Sequence, residues 1–117
     1  MNKTAAVIVT FNRLALLQEC IEAVRMQTVS PQSIIVINNG STDGTQEWLD
    51  AQKDLHILHQ DNTGGAGGFY SGVKEAFYEG YDYIWLMDDD SIPERDCLKN
   101  LAAAFAAIPE ISYAASV

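Results

Sequence analysis

Basic residues are scarce in this chain. Lysine and arginine together number 7 against 16 aspartates and glutamates, for a formal net charge of −9. Nucleic-acid backbones are gripped by clustered Lys and Arg, so this balance argues against a nucleic-acid-binding domain. An acidic protein can still take hold of phosphate through a divalent cation. Cysteine is nearly absent too. The two present, Cys20 and Cys97, fall at apolar positions of predicted helices without zinc-site spacing, and they read as buried thiols of a reducing compartment. No apolar run approaches the roughly 18 residues of a membrane span. The opening "MNKTAAVIVTF" runs straight into a strand pattern, with neither the long apolar stretch nor the small-residue cleavage site of a signal peptide. The expected location is cytosolic. Internal repeats, low-complexity tracts and linkers are likewise missing.

What is there is one domain's worth of ordinary globular sequence: 117 residues, 48% apolar and 20% charged. Short β-branched runs alternate with helix-period segments. "AAVIVT" reads as a buried strand, and the following helix aligns Leu17, Cys20, Ile21 and Val24 on one stripe, with Asn12 as its expected N-cap. "SIIVINN" is a second strand. A helix capped by the Ser, Thr and Asp of "GSTDGT" then carries Trp48 and Leu49. "LHILH" is a third strand, "QDNTGGAGG" a loop, and "FYSGVKEAFYEG" a helix with Phe69, Val73, Ala76 and Phe77 on its packed side. "YDYIWLM" is a fourth strand. Pro93 is expected in the first turn of a last helix that runs to Pro109, and "ISYAASV" opens a fifth strand. Continuous apolar strands alternating with helices predict an α/β fold: a doubly wound, mostly parallel sheet with helices on both faces.

In such sheets ligands gather at the carboxyl ends of the strands. Here those ends read "TFN", "NNGS", "QDNTGG" and "MDDD", so the unusual polar clusters share one edge. Three adjacent aspartates repel one another, and a hard cation offsets that repulsion. Mg²⁺ or Mn²⁺ takes oxygen ligands, usually one or two carboxylates with water and substrate phosphate. Asp88 and Asp90 can then share a metal-phosphate site while Asp89 points elsewhere. Acidic capping of the helix near Pro93 fits the same residues. The glycines of "NTGGAGGFYSG" satisfy neither phosphate-binding pattern, because Tyr70 and Val73 stand where a glycine and a lysine are required. A loop without side chains leading into a helix suits a nucleotide or sugar, and a plain turn explains it equally well. His56 and His59 lie three apart on a strand and so face opposite ways, which argues against a shared metal and for two structural histidines. Arg13 faces either an anionic ligand or solvent, and the aromatics from Phe69 to Trp85 read as core and helix packing.

Taken as a set, "VIVTFNR", Gln27-Thr28, "VINNGSTDGT", "NTGGAGGFYSG" and "WLMDDD" resemble, in order and spacing, the nucleotide-binding half of family 2 glycosyltransferases with the GT-A fold. The forms "VTFNR", "NTGGAGGF" and "MDDD" look most like the rhamnosyltransferase and galactofuranosyltransferase branch. The resemblance covers essentially the whole chain and implies a donor domain for a nucleotide-diphosphate sugar, UDP- or dTDP-linked. It implies that Thr10, Phe11 and Asn12 line the base pocket, and that Asn38 or Asn39 stands where many members set an aspartate against uracil. It further assigns Gly64, Gly65 and Gly68 to the nucleoside-sugar side, Asp88 and Asp89 to the nucleotide, and Asp88 and Asp90 to a divalent cation, Mn²⁺ or Mg²⁺.

The implied activity is inverting transfer of a hexosyl group to the hydroxyl of a carbohydrate or lipid-linked acceptor, as in cell-wall or polysaccharide synthesis. The full-length context would then sit at the inner face of the membrane. The catalytic base is expected beyond Val117, in an acceptor-binding half. On that view residues 1–117 are a single donor domain cut before that half, weak or inactive alone and inclined to self-associate through uncovered apolar surface. The alternative is a non-catalytic nucleotide-binding module that works with another chain.

Overall fold

The computed structural model describes residues 3–107. In chain order its elements are β1 (Thr4–Thr10), α1 (Leu14–Arg25), β2 (Ser33–Asn39), α2 (Thr45–Asp50), β3 (Leu55–Gln60), α3 (Gly64–Tyr78), β4 (Tyr83–Asp88) and α4 (Cys97–Ala107). The four strands form one sheet in the order β3-β2-β1-β4, and all three pairings are parallel. The expected doubly wound α/β architecture is therefore present. The fifth strand expected over residues 111–117 lies outside the described residues.

Period-two alternation divides the strands between two cores. Ala6, Ile8, Ile34, Val36, Trp85 and Met87 face α1, Leu49 of α2 and Leu98 of α4, whereas Ala5, Val7, Val9, Ile35 and Ile37 face α3. Both faces of β1 and β2 are covered, which is why those strands read as unbroken apolar runs. The stripe predicted for α1, Leu17, Cys20, Ile21 and Val24, is the set buried beneath it. Burying side chains such as Leu17 and Ile21 contributes about 1.5–3 kcal/mol each.

Three local expectations are corrected. Asn12 does not cap α1: it sits in the left-handed region at φ 50°, and the cap position falls to Arg13, which makes no side-chain cap bond. Asn12 instead ties two loops together, accepting the Thr42 N–H at 2.6 Å through Oδ1, while Asp43 accepts the Leu14 N–H at 3.4 Å. The second correction concerns α3, which begins at Gly64, so the glycines form its first turns. Its buried residues are Gly68, Gly72 and Ala76, while Phe77 is 72% and Val73 37% exposed. A methyl group on Gly68 would lie 2.5 Å from Val9 Cγ1, and one on Gly72 would run into Val7 Cγ1. Close approach to β1 thus offsets a helix-propensity cost of about 1 kcal/mol per glycine. Third, Pro93 precedes α4, which starts only at Cys97. That start is held from α1's end: Gln27 donates to Glu94 O at 2.7 Å and accepts the Leu98 N–H at 3.1 Å, and Thr28 Oγ1 donates to Asp96 Oδ1 at 2.6 Å.

The histidines do face opposite ways. His56 meets Glu75 of α3, and His59 meets Asp50 of α2. The aromatics are more mixed than expected. Trp85 is buried, but Tyr70, Phe77 and Tyr78 are exposed on the outer side of α3. Among the described residues no helix is long and apolar enough to cross a membrane.

Candidate functional site

The chain winds from β1 through β2 to β3 and then returns past β1 to β4. β1 and β4 are therefore the neighbours between which the strand order reverses, the place where open α/β sheets leave a crevice at their carboxyl edge. A cleft of about 520 Å³ opens there, lined by Thr10, Phe11 and Arg13 after β1, by Asp88, Asp89 and Asp90 after β4, and by Asn39, Asn62, Gly64 and Gly65 across from them.

Alternation sorts the three acids. Asp88 and Asp90 are exposed at the cleft, whereas Asp89 between them is only 5% exposed. Asp89 Oδ2 accepts a bond from Thr10 Oγ1 at 3.0 Å, and its Oδ1 lies 3.4 Å from Arg13 Nη1. Burial pushes the Asp89 carboxyl above its ordinary range, against the pull of Thr10 and of the Arg13 charge. The same guanidinium reaches 4.0 Å from Asp90 Oδ2. Arg13 therefore answers the question its position raised: it faces the acids at the mouth of the cleft. Behind them Cys20 Sγ donates to Asp88 O at 3.6 Å, and burial together with the three aspartate charges pushes its thiol up to about 12, so it stays an inert thiol.

Asn39 lines the cleft, and its amide is held there by four hydrogen bonds. Its Nδ2 donates to Asn62 Oδ1 at 3.2 Å and to Gly64 O at 2.9 Å, while its Oδ1 accepts the Gln60 side chain and the Thr63 N–H, both at 3.1 Å. An amide has two donor hydrogens and two acceptor lone pairs, so all four are used. Asn39 shapes the loop that delivers Gly64 and Gly65 to the cleft. Asn62 adds a bond to the Gly64 N–H at 2.8 Å. Its contribution was not legible beforehand, because an Asn in a loop has no pattern of its own.

Of the residues expected at the site, the cleft brings together Thr10, Phe11, Asn39, Gly64, Gly65, Asp88, Asp89 and Asp90. It does not include Asn12, which binds Thr42, or Asn38, whose amide engages His59 and the Ser41 N–H. Gly68 is buried a turn further along α3, against Val9. For a divalent cation the donor set fits: two exposed carboxylates with nothing but oxygen to offer, held two residues apart by an anchored third.

A family model described as glycosyl transferase family 2 matches residues 5–117. The chain is 38% identical over 90 residues to the galactofuranosyltransferase GlfT1 of Mycolicibacterium smegmatis, covering 75% of this chain and 30% of that protein. Among solved structures, S. aureus TarS 1-349 in complex with UDP-GlcNAc matches 90% of this chain and 31% of its own length, with a TM-score of 0.74 at 20% identity. The mannosyltransferase PcManGT from Pyrobaculum calidifontis, in complex with GDP-Man and Mn2+, matches 89% and 32%, with a TM-score of 0.71 at 23% identity. The α/β fold is thus the one seen in GT-A glycosyltransferases, and the chain spans about a third of the length of these proteins. With a family match over residues 5–117 and its five sequence clusters in register, this chain belongs to glycosyl transferase family 2.

Proposed function

We propose that this domain holds the donor of a glycosyl transfer: a nucleoside-diphosphate sugar, UDP- or dTDP-linked, bound through a divalent cation in the cleft between β1 and β4. The observation that carries the reading is the sorting of the aspartates, with Asp88 and Asp90 exposed at the cleft and Asp89 locked inward. Asp88 and Asp90 would hold Mn²⁺ or Mg²⁺. When bound, that ion acts as a Lewis acid on the diphosphate and favours its departure.

The chain's own residues do the rest. Phe11, 44% exposed at the cleft rim, offers an apolar face to the base. Gly64 and Gly65 open α3 without side chains, so the diphosphate can approach the positive end of a 15-residue helix. Asp89 and Thr10 fix the spacing of the strand ends on which Asp88 and Phe11 stand. The reaction is read as inverting transfer to a hydroxyl of a carbohydrate or lipid-linked acceptor, for which a base must act opposite the leaving diphosphate. None of the three aspartates is assigned that role. The Mn²⁺ and nucleotide sugars named with the structural neighbours support this reading.

Calorimetric titration of UDP with Mn²⁺, with EDTA, and against Asp90→Ala with Mn²⁺ tests it. Removing the cation or the carboxylate is expected to weaken binding by about tenfold or more. Equal affinity in all three overturns the metal-mediated donor site.

A further inference from the structure

A second cluster of metal-ligating side chains lies outside the cleft. His56 of β3, Glu75 in the last turn of α3 and Glu79 at that helix's C-cap bring one ligand atom each to within 4.8 Å of one another, the group among the described residues in which three such side chains converge. α3 starts in the cleft at Gly64, and at about 1.5 Å per residue Glu75 stands roughly 16 Å further along it. The cluster is thus at the other end of the helix from Asp88 and Asp90.

We propose that His56, Glu75 and Glu79 form a binding site for a borderline transition-metal dication, with Zn²⁺ as its reference member. His56 Nε2 lies 3.4 Å from Glu75 Oε2. Two ligands at Zn–N and Zn–O distances near 2.1 Å in tetrahedral geometry are themselves about 3.4 Å apart, so that edge of the coordination shell is already formed. Glu79 is exposed and follows Glu75 by four residues, so a small rotation of its side chain closes the third position. Water completes the set.

The charges around the cluster ask for a cation. Two carboxylates four apart repel, and these two stand at the C-terminal end of a helix, where the backbone dipole is also negative. α3 has no basic residue in its last turn to compensate. One imidazole with two carboxylates also distinguishes the site chemically from the all-oxygen cleft. Imidazole favours Zn²⁺ and its neighbours, whereas Mg²⁺ and Mn²⁺ prefer oxygen.

The test is a Zn²⁺ titration followed by calorimetry, repeated with Co²⁺ to read visible absorption from nitrogen ligation. Asp90→Ala removes the competing cleft site. In that background a single Zn²⁺ is expected to bind, and adding His56→Gln or Glu79→Gln is expected to weaken it by about tenfold or more. His59→Gln should leave it intact. On the otherwise native chain, His56→Gln should also leave Mn²⁺-dependent UDP binding unchanged, which separates this site from the donor site. Circular dichroism checks that each variant is folded, and Glu79, exposed at a helix end, can change without loss of packing. No Zn²⁺ binding by Asp90→Ala, equal Zn²⁺ affinity with and without His56, or loss of binding in His59→Gln each overturns the proposal.

Discussion

Thr10 Oγ1 donates a hydrogen bond to Asp89 Oδ2 at 3.0 Å, and both residues are nearly excluded from solvent. The bond joins the carboxyl ends of β1 and β4 where the strand order reverses, so it sets the width of the cleft floor. Thr10→Val keeps the shape and removes the donor. A buried carboxylate losing a partner costs about 1–3 kcal/mol, and the variant is expected to unfold at correspondingly lower urea. Its Mn²⁺-dependent UDP affinity should fall as well, with Thr10→Ser restoring both. Unchanged stability and affinity in Thr10→Val would leave the bond without a role.

The glycines of α3 predict an unusual mutational pattern. Gly72→Ala, which ordinarily strengthens a helix, is expected to destabilise the protein by about 1–3 kcal/mol because the methyl has to displace Val7. Phe77→Asn, which removes a large aromatic, should cost far less, since Phe77 is 72% exposed. Chemical denaturation of the two variants side by side checks the ranking. A Gly72→Ala protein as stable as the parent would mean that α3 can lift off β1 freely.

The same helix shows what a sequence conceals. Leu17, Cys20, Ile21 and Val24 identified the buried face of α1 because large apolar groups mark their own side. On α3 the packed side is Gly68, Gly72 and Ala76. Small residues leave no hydrophobic signal, so of the side expected from the sequence Phe69 and Ala76 reach the core while Val73 and Phe77 stand exposed. At the strand ends the acids were legible, since three carboxylates behind "YIWLM" need a reason to be there. The partners Arg13 and Asn62 were not, because their roles arise from loops meeting across the sheet edge.

Acidification should cost the protein one identifiable ion pair. Arg25 Nε and Nη2 grip Asp54 at 2.9 and 2.7 Å, and the hydrogen bond and charge from Arg25 hold the Asp54 carboxyl below its usual value. A depressed folded value means that the stabilisation is fully present above the unfolded value, near about pH 4, and is lost as pH falls through the folded one. With Asp54 55% exposed, screening limits the pair to about 0.5–1 kcal/mol. Melts of wild type and Asp54→Asn should therefore differ most near neutral pH and converge in acid. A difference that grows on acidification would contradict the assignment.

Asn39→Asp is the sharpest test of how the cleft is built. By family resemblance an aspartate at this strand end would pair with the base, and the substitution would then sharpen the choice among nucleotides. The geometry predicts another outcome. Asn39 Nδ2 gives its two hydrogens to Asn62 Oδ1 and Gly64 O. A carboxylate cannot donate, and it would face both acceptors with like partial charge. Two bonds are lost, at about 0.5–1.5 kcal/mol each, since Asn62 Oδ1 keeps the Gly64 N–H and both acceptors belong to solvent-exposed residues. The loop before α3 should loosen, moving Gly64 and Gly65 out of register. Stability should drop, and affinity for UDP, dTDP, GDP and CDP should fall together with its ranking preserved. Competition binding on both forms, paired with a urea melt, decides the matter. If Asn39→Asp keeps full stability and shifts the ranking toward UDP and dTDP, the side chain is free to reach the base and its role as the loop's anchor is wrong.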